Sequence, residues 1–310
     1  MRNFIRLCKM DKDTLKEWLY KILEAKYGAD NVVNGDGFLF AKGNGKSPIL
    51  LTAHMDTVHR EVCDYIKITK EKGKTILTAP KGIGGDDRCG IWIILNILTR
   101  TLYRPTILFC EDEEIGGVGS SKFVDTDYVS HLTELKYLVE VDRANDKEAV
   151  YYNCGNLVFQ RYIEETIGYK KEYGSFTDIC HLSPACDRAS VNLSCGYYRQ
   201  HTLEEYVIFE EMVATYKAVK VLLSKAKDAD TYDYQEENWY SSSYGNKFSY
   251  GYGYNSYWDD ESYYEIVYKD EKGTTNYYQT AALTKYEAIG YWVSENTNLT
   301  YNNIIDMYRY

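Results

Sequence analysis

Leu50-Leu-Thr-Ala-His54-Met-Asp56-Thr-Val58 is the stretch on which the reading of this chain turns. A short apolar run ends in an imidazole, with a carboxylate two residues further on. That is the pattern of a buried strand delivering polar side chains to its carboxyl end, where α/β folds keep their sites. Outward from it, strand-like runs cover 37–41, 65–69, 75–79, 106–110, 138–141 and 190–195, and the quoted strand itself begins near Pro48. Helical patterns lie between them. Residues 11–27 carry Leu15, Leu19, Ile22 and Leu23 at helical spacing behind a capping Asp11 or Asp13, and 89–98 is too long and apolar for a strand. The run 203–227 reads as a long closing helix. Strands alternating with helices predict an α/β three-layer sandwich around a mostly parallel central sheet.

Composition divides the chain and removes several function classes. A length of 310 residues suits about two domains. Eight tyrosines fall between Tyr232 and Tyr257 among Ser, Gly, Asn and acids, with almost no aliphatic residue, so that region cannot pack a core. The expected division is a domain at 1–228, a Tyr-rich linker at 229–262, and a small α+β module of ββαβ type at 263–310. In that module 264–268 and 276–280 flank Asp270-Glu-Lys-Gly273 as a hairpin, and Thr284-Lys-Tyr-Glu287 is a capping box opening a helix at 284–296. Residues 304–310 form a last strand. A unit so small is marginal alone, so it is expected to contact a protein partner or a second copy of itself. A net charge of −10 argues against a nucleic-acid surface. No apolar run approaches the ~20 residues that span a bilayer, and the first residues lack the apolar core of a secretion signal, so a cytoplasmic protein is expected. None of the eight cysteines forms a Cys-x-x-Cys pair, and several sit in apolar runs, where a reduced thiol acts as a small hydrophobe.

Five segments carry chemistry. They are the quoted His54-Met-Asp56; Gly82-Ile-Gly-Gly-Asp86-Asp87-Arg88; the strand ending in Glu111-Asp-Glu113-Glu114-Ile-Gly-Gly; Leu138-Val-Glu-Val-Asp142; and Tyr197-Tyr198-Arg-Gln-His201-Thr. Singly, each is a cap, a solvated turn or a surface histidine. Together, several carboxylates converging on one sheet edge would repel one another strongly unless cations were present. Imidazole and carboxylate suit Zn²⁺, with Co²⁺ or Mn²⁺ as substitutes.

In order and placement these segments resemble the di-zinc exopeptidases, a group that includes leucyl-type aminopeptidases, peptidase T and the glutamate carboxypeptidases. The resemblance covers roughly residues 10 to 225. It implies that His54 binds one zinc with Asp142, that Asp56 stands behind His54 and fixes its tautomer, and that Asp86 bridges two zinc ions. It further implies a cis bond between Asp86 and Asp87, Glu114 and His201 on the second zinc, and Glu113 as the general base. Tyr197 or Tyr198 is a candidate oxyanion partner, and His181 a candidate wall of the substrate pocket. His59 reads as a rim residue rather than a ligand.

Members with a lid insert it either between the Asp ligand and the last His or after the first ligand. Only 58 residues separate Asp142 from His201, and only 31 separate His54 from Asp86, so neither insert is expected. The architecture therefore resembles the compact leucyl-aminopeptidase branch, whereas the wording of the Glu113 and His201 segments is closer to peptidase T. Without a lid to supply a cation for a substrate carboxylate, the expected handle is a free N terminus on a short peptide. The alternatives are an N-acyl-amino-acid deacetylase or carboxypeptidase-type amidohydrolase, and an inactive metal-bound binding module.

Overall fold

The computed structural model describes residues 1–236, 262–270, 272–282, 292, 299 and 303–309, and the chain divides into two units, Met1–Asn238 and Trp239–Tyr310. The first unit begins with α1 (Arg2–Leu7), α2 (Lys12–Tyr27), β1 (Val32–Gly35), β2 (Phe38–Ala41), β3 (Leu50–His54), β4 (Lys67–Glu71), β5 (Lys74–Thr78) and α3 (Gly85–Arg100). It continues through β6 (Thr106–Cys110), α4 (Val118–Val124), β7 (Leu138–Arg143), β8 (Glu148–Val150), α5 (Leu157–Ile167) and β9 (Lys170–Glu172). It closes with α6 (Ile179–Cys186), β10 (Ser190–Ser194), β11 (Tyr197–Tyr198), β12 (Tyr206–Ile208) and α7 (Phe209–Lys225).

The period-two alternation of the strands builds three layers. The main sheet runs β1-β2-β6-β3-β7-β10-β8-β9, and its centre, β6-β3-β7-β10, is parallel. Leu51, Ala53, Ile107, Phe109, Val139 and Val141 join one core with α1, α2, α3, α5 and α7. Leu50, Leu108, Cys110 and Leu138 join a second core with Phe123 of α4 and Ile179 and Leu182 of α6. Register places Thr52, Leu108 and Glu140 side by side, with His54 beside Cys110 one step further. His54 and Asp142 therefore emerge on the α4/α6 face at the carboxyl ends of neighbouring parallel strands.

Helix α2 starts where Asp11 accepts the Thr14 N–H at 2.8 Å. In α3, Asp86 and Asp87 depart from helical angles, and Asp87 Oδ1 accepts the Gly90 N–H at 2.8 Å, so Asp87 caps the regular part of the helix. Gly90 is needed because a Cβ there would meet the Val141 carbonyl at 2.0 Å, which lets the buried helix lie directly on β7. A second sheet, β11-β12-β5-β4, is antiparallel throughout. It corrects the expected helix at 203–227: Tyr206–Ile208 is a strand paired with β5 and β11, and the helix begins at Phe209. A three-residue run of β-branched and aromatic side chains finds two strand partners there, which no helical spacing announces.

Residues 229–236, which composition assigned to the linker, belong to the first unit. Tyr232 is buried against Tyr137, Phe159 and Tyr162, its N–H donates to the Lys136 carbonyl, and its own carbonyl accepts the Ala189 N–H. Glu236 pairs with Cys154. Residues 229–236 are thus a strap on the first unit, held by aromatic packing that a low aliphatic content hides. All eight cysteines are free, seven of them buried.

The second unit contains β13 (Ser262–Lys269), β14 (Thr275–Ala282) and β15 (Ile304–Arg309) in the order β14-β13-β15, all antiparallel. Asp270 sets the hairpin turn by accepting the Lys272 and Thr274 N–H groups at 2.9 Å each. Trp292 is buried with Ile266, and its ring meets Tyr268 edge-on. The helix expected at 284–296 lies outside the described residues apart from Trp292.

Candidate metal centre

His54 is the pivot of the site. It is 0% exposed, and carboxylates face both ring nitrogens. Nε2 lies 2.9 Å from Asp86 Oδ1 and 3.4 Å from Asp142 Oδ1, while Nδ1 lies 3.3 Å from Asp56 Oδ1. The other oxygen of Asp86 faces a second imidazole, with His201 Nε2 at 3.2 Å, and His201 Nε2 is 2.9 Å from Glu114 Oε2. Two imidazoles therefore stand on opposite oxygens of one carboxylate, each with a further acid. The peptide bond after Asp86 is cis.

Four kinds of element deliver these side chains. His54 ends β3, and Asp142 is the penultimate residue of β7. The turn before α3 carries Asp86. A 3₁₀ turn, Glu113–Ile115, follows β6 and carries Glu113 and Glu114. His201 stands on the loop between β11 and β12 at a left-handed φ of 62°, with its side chain 43% exposed. Asp56 joins two of these pieces: besides facing His54, it accepts the Glu113 N–H on Oδ1 and the Glu114 N–H on Oδ2, both at 3.1 Å. Buried Arg88 holds the intervening chain from the other side by donating to the Met55 carbonyl at 2.6 Å.

The other half of the acidic run has different work. Glu111 pairs with Lys16 at 2.5 Å and Asp112 with Lys12 at 2.7 Å, so two lysines of α2 neutralise the acids that point away from the centre. Asp87 is fully buried and faces its own helix, with Oδ2 accepting the His54 N–H at 3.3 Å. Asp142 is oriented by three neighbours. Asn192 Oδ1 accepts its N–H at 2.8 Å, Thr177 Oγ1 donates to Oδ2 at 3.1 Å, and the Tyr197 hydroxyl donates to Oδ1 at 3.2 Å.

The electrostatics describe a site crowded with negative charge. Burial raises Glu113, and the charges of Asp142 and Glu114 add to it, so its carboxyl lies well above the ordinary range. Burial and the charge of Asp86 raise Glu114, and the same two causes push Asp142 up to about 7. Burial pulls both histidines down, but the surrounding acids outweigh it. His54 lies well above its usual value because of Asp142, Asp56 and Asp86, and His201 is pushed up to about 11 by Asp86 and Glu114. Burial would raise Asp56 and Asp86 too, yet hydrogen bonds to the histidines hold both below the usual carboxylate range. Glu114 Oε1 is buried without a hydrogen-bond partner, and His54 Nδ1 meets the Asp56 carboxylate at 3.3 Å. His54, Glu113 and Asp142 bring one donor atom each within 4.8 Å of one another, as do His54, Asp86 and Glu114. This donor set fits divalent metal, since imidazole nitrogen and carboxylate oxygen are the ligands such ions take.

Seven residues singled out in the sequence thus meet here: His54, Asp56, Asp86, Glu113, Glu114, Asp142 and His201. The remaining three separate. Tyr197 is buried with its hydroxyl spent on Asp142, and Tyr198 stacks on Tyr206 and donates to Glu211 at 2.5 Å. His181 lies beside the turn after Glu114, with Nδ1 3.0 Å from Ser120 Oγ and its ring edge-on to Phe176. The sequence reading missed Lys16, Thr177, Asn192 and Glu205, whose partners in the site lie 35 to 121 positions away. No local spacing signals such contacts.

No protein-family model and no curated protein matches the sequence. Solved structures do match in fold. Aminopeptidase PepT from Bacillus cereus is 16% identical with a TM-score of 0.54, the alignment covering 73% of this chain and 97% of that one. A tripeptidase from Staphylococcus aureus is 13% identical with a TM-score of 0.54, over 73% of this chain and 97% of that one. An aminopeptidase from the archaeon Desulfurococcus kamchatkensis is 13% identical with a TM-score of 0.51, over 74% and 96%. At these identities the likeness is one of fold. Among the described residues no helix is long and apolar enough to cross a membrane.

Proposed function

We propose that this chain is a two-metal aminopeptidase that removes residues from the free N terminus of short peptides. The observation that carries the reading is Asp86, whose two oxygens each face a different imidazole while Glu113 stands beside the same centre. In this reading His54 and Asp142 would hold one cation and Glu114 and His201 the other, with Asp86 available to both. Zinc suits these donors, and cobalt or manganese would substitute. Two such ions, when bound, supply Lewis acidity that acidifies a water and polarises a peptide carbonyl.

The protein's own part is proton handling and positioning. Glu113 accepts the proton of the attacking water and returns it to the leaving amine, so it ends each turnover in its starting state. Its half-buried carboxyl is raised by burial and by the charges of Asp142 and Glu114, the direction in which catalytic carboxyl bases are tuned. Asp56 keeps base and ligand in register, because its two oxygens hold the N–H groups of Glu113 and Glu114 while it faces His54. Tyr197, Thr177 and Asn192 fix Asp142. His181, next to Phe176, is the substrate-side candidate, whereas Tyr198 turns towards Glu211.

The test is a metal-loaded assay on paired substrates. Unblocked dipeptides and aminoacyl amides should be cleaved, and their N-acetylated counterparts left intact. Preferential cleavage of the N-blocked set would move the assignment to a deacylase or carboxypeptidase. Full metal loading without any amide hydrolysis would leave only a binding module.

A further inference from the structure

Glu205 is 1% exposed and lies four positions after His201, yet it is not among the residues that face the metal centre. Its carboxylate accepts three N–H groups. Oε1 takes the Asp86 N–H at 2.9 Å, and Oε2 takes the Gly84 N–H at 2.8 Å and His59 Nε2 at 2.8 Å. The fit is close: a Cβ on Gly85 would meet Val207 at 2.7 Å, Tyr197 at 2.9 Å and Glu205 Oε1 at 3.1 Å. The residue therefore ties the loop that carries His201 to the turn that carries Asp86.

We propose that Glu205, backed by His59, is a positioning residue that sets Asp86 and His201 at the spacing the second cation requires; the proposal rests on the two-metal reading above. The two ligand sets are supported unequally. His54 and Asp142 stand on buried parallel strands, and Asp142 has Asn192, Thr177 and Tyr197 around it. His201 stands on a loop, is 43% exposed at its side chain, and faces only acids that are themselves ligands. Beside the packing of Tyr197 and Val207 on Gly85, Glu205 supplies hydrogen bonds from that loop to the backbone of the Asp86 turn. A carboxylate is required because both of its oxygens accept. A glutamine at the same place would aim an NH₂ donor at one or two of three N–H groups, and buried opposed donors force the chain apart. Loss of a partner that orients a metal ligand lowers metal affinity about 10- to 100-fold.

The experiment is stepwise titration of the metal-free full-length chain with Co²⁺, following the visible band of each ion, for wild type, Glu205→Gln, His59→Leu and His59→Gln. In Glu205→Gln the second affinity should fall at least about tenfold while the first stays within about threefold. His59→Leu should move the second affinity in the same direction by less, and His59→Gln, which keeps an N–H donor, should restore it. A purely structural role would lower the melting temperature and leave the stepwise constants of the folded protein unchanged. Constants that are unchanged, or that fall equally, overturn the proposal. If Glu205→Gln does not fold, the His59 pair decides, and equal second affinities in its two variants overturn it. Wild type taking up one Co²⁺ only would instead refute the two-metal reading.

Discussion

Asp56→Asn is the substitution whose effect can be worked most fully from the coordinates. Asp56 Oδ1 faces His54 Nδ1 at 3.3 Å and the Glu113 N–H at 3.1 Å, and Oδ2 accepts the Glu114 N–H at 3.1 Å. Asparagine keeps one acceptor oxygen. In one rotamer its NH₂ opposes the Glu114 N–H, and in the other it opposes His54 and the Glu113 N–H. At least one charge-assisted bond, worth about 1.5–3 kcal/mol, gives way to opposed donors. At about 1.4 kcal/mol per decade, metal affinity should fall roughly 10- to 150-fold. Asp56 supports His54 on one side and Glu114 on the other, so both stepwise constants should weaken, unlike the selective loss expected at Glu205. Competition with a chelator of known affinity, read for each of the two ions, measures this. Wild-type constants for both ions in a folded Asp56→Asn protein would refute the positioning role of Asp56.

Glu113→Gln should retain both cations and lose about 10²–10⁴-fold in kcat, because only the proton transfer is removed; a rate near wild type would exclude Glu113 as the base. In the metal-free protein the acids hold His54 and His201 above their ordinary values, His201 at about 11, so His201 is protonated at pH 7. Ligation needs neutral imidazole, so loading should release protons and weaken as pH falls. Calorimetry in buffers of different ionisation enthalpy should detect proton release on loading at pH 7, and none released would contradict the ligand set. A chain truncated after Glu236 should bind two cations and keep kcat/KM for a dipeptide within a few-fold. Ending at Lys227 instead removes Tyr232 from Tyr137, Phe159 and Tyr162, and should lower Tm by about 5–10 °C. Equal melting temperatures for the two truncations would show that the strap contributes nothing.

What could be read from the sequence was whatever is local in the chain. His54 and Asp142 were visible because an apolar strand ends in each, and strand ends in a parallel sheet point to one edge. Asp86 was visible as an acid in a glycine turn before an apolar helix, and the resemblance separated it from Asp87; the physical reason is that Asp87 turns inward to cap α3. Glu113 and Glu114 could be told from Glu111 and Asp112 only through the resemblance. The physical cause of that difference is the pair of lysines on α2, nearly a hundred residues earlier. Glu205 was invisible for the same reason, since its partners His59, Gly84 and Asp86 are more than a hundred positions away. The strap around Tyr232 was hidden differently. It packs with aromatic rings instead of aliphatic side chains, so composition assigned it to the linker.

The central claim is a cation pair sharing Asp86, and anomalous diffraction from crystals grown with zinc tests it directly. The account predicts two peaks about 3.5–4 Å apart. One should touch His54 Nε2 and Asp142, the other His201 Nε2 and Glu114, and both should contact Asp86. A single peak at full occupancy, or two peaks that do not share Asp86, would contradict it.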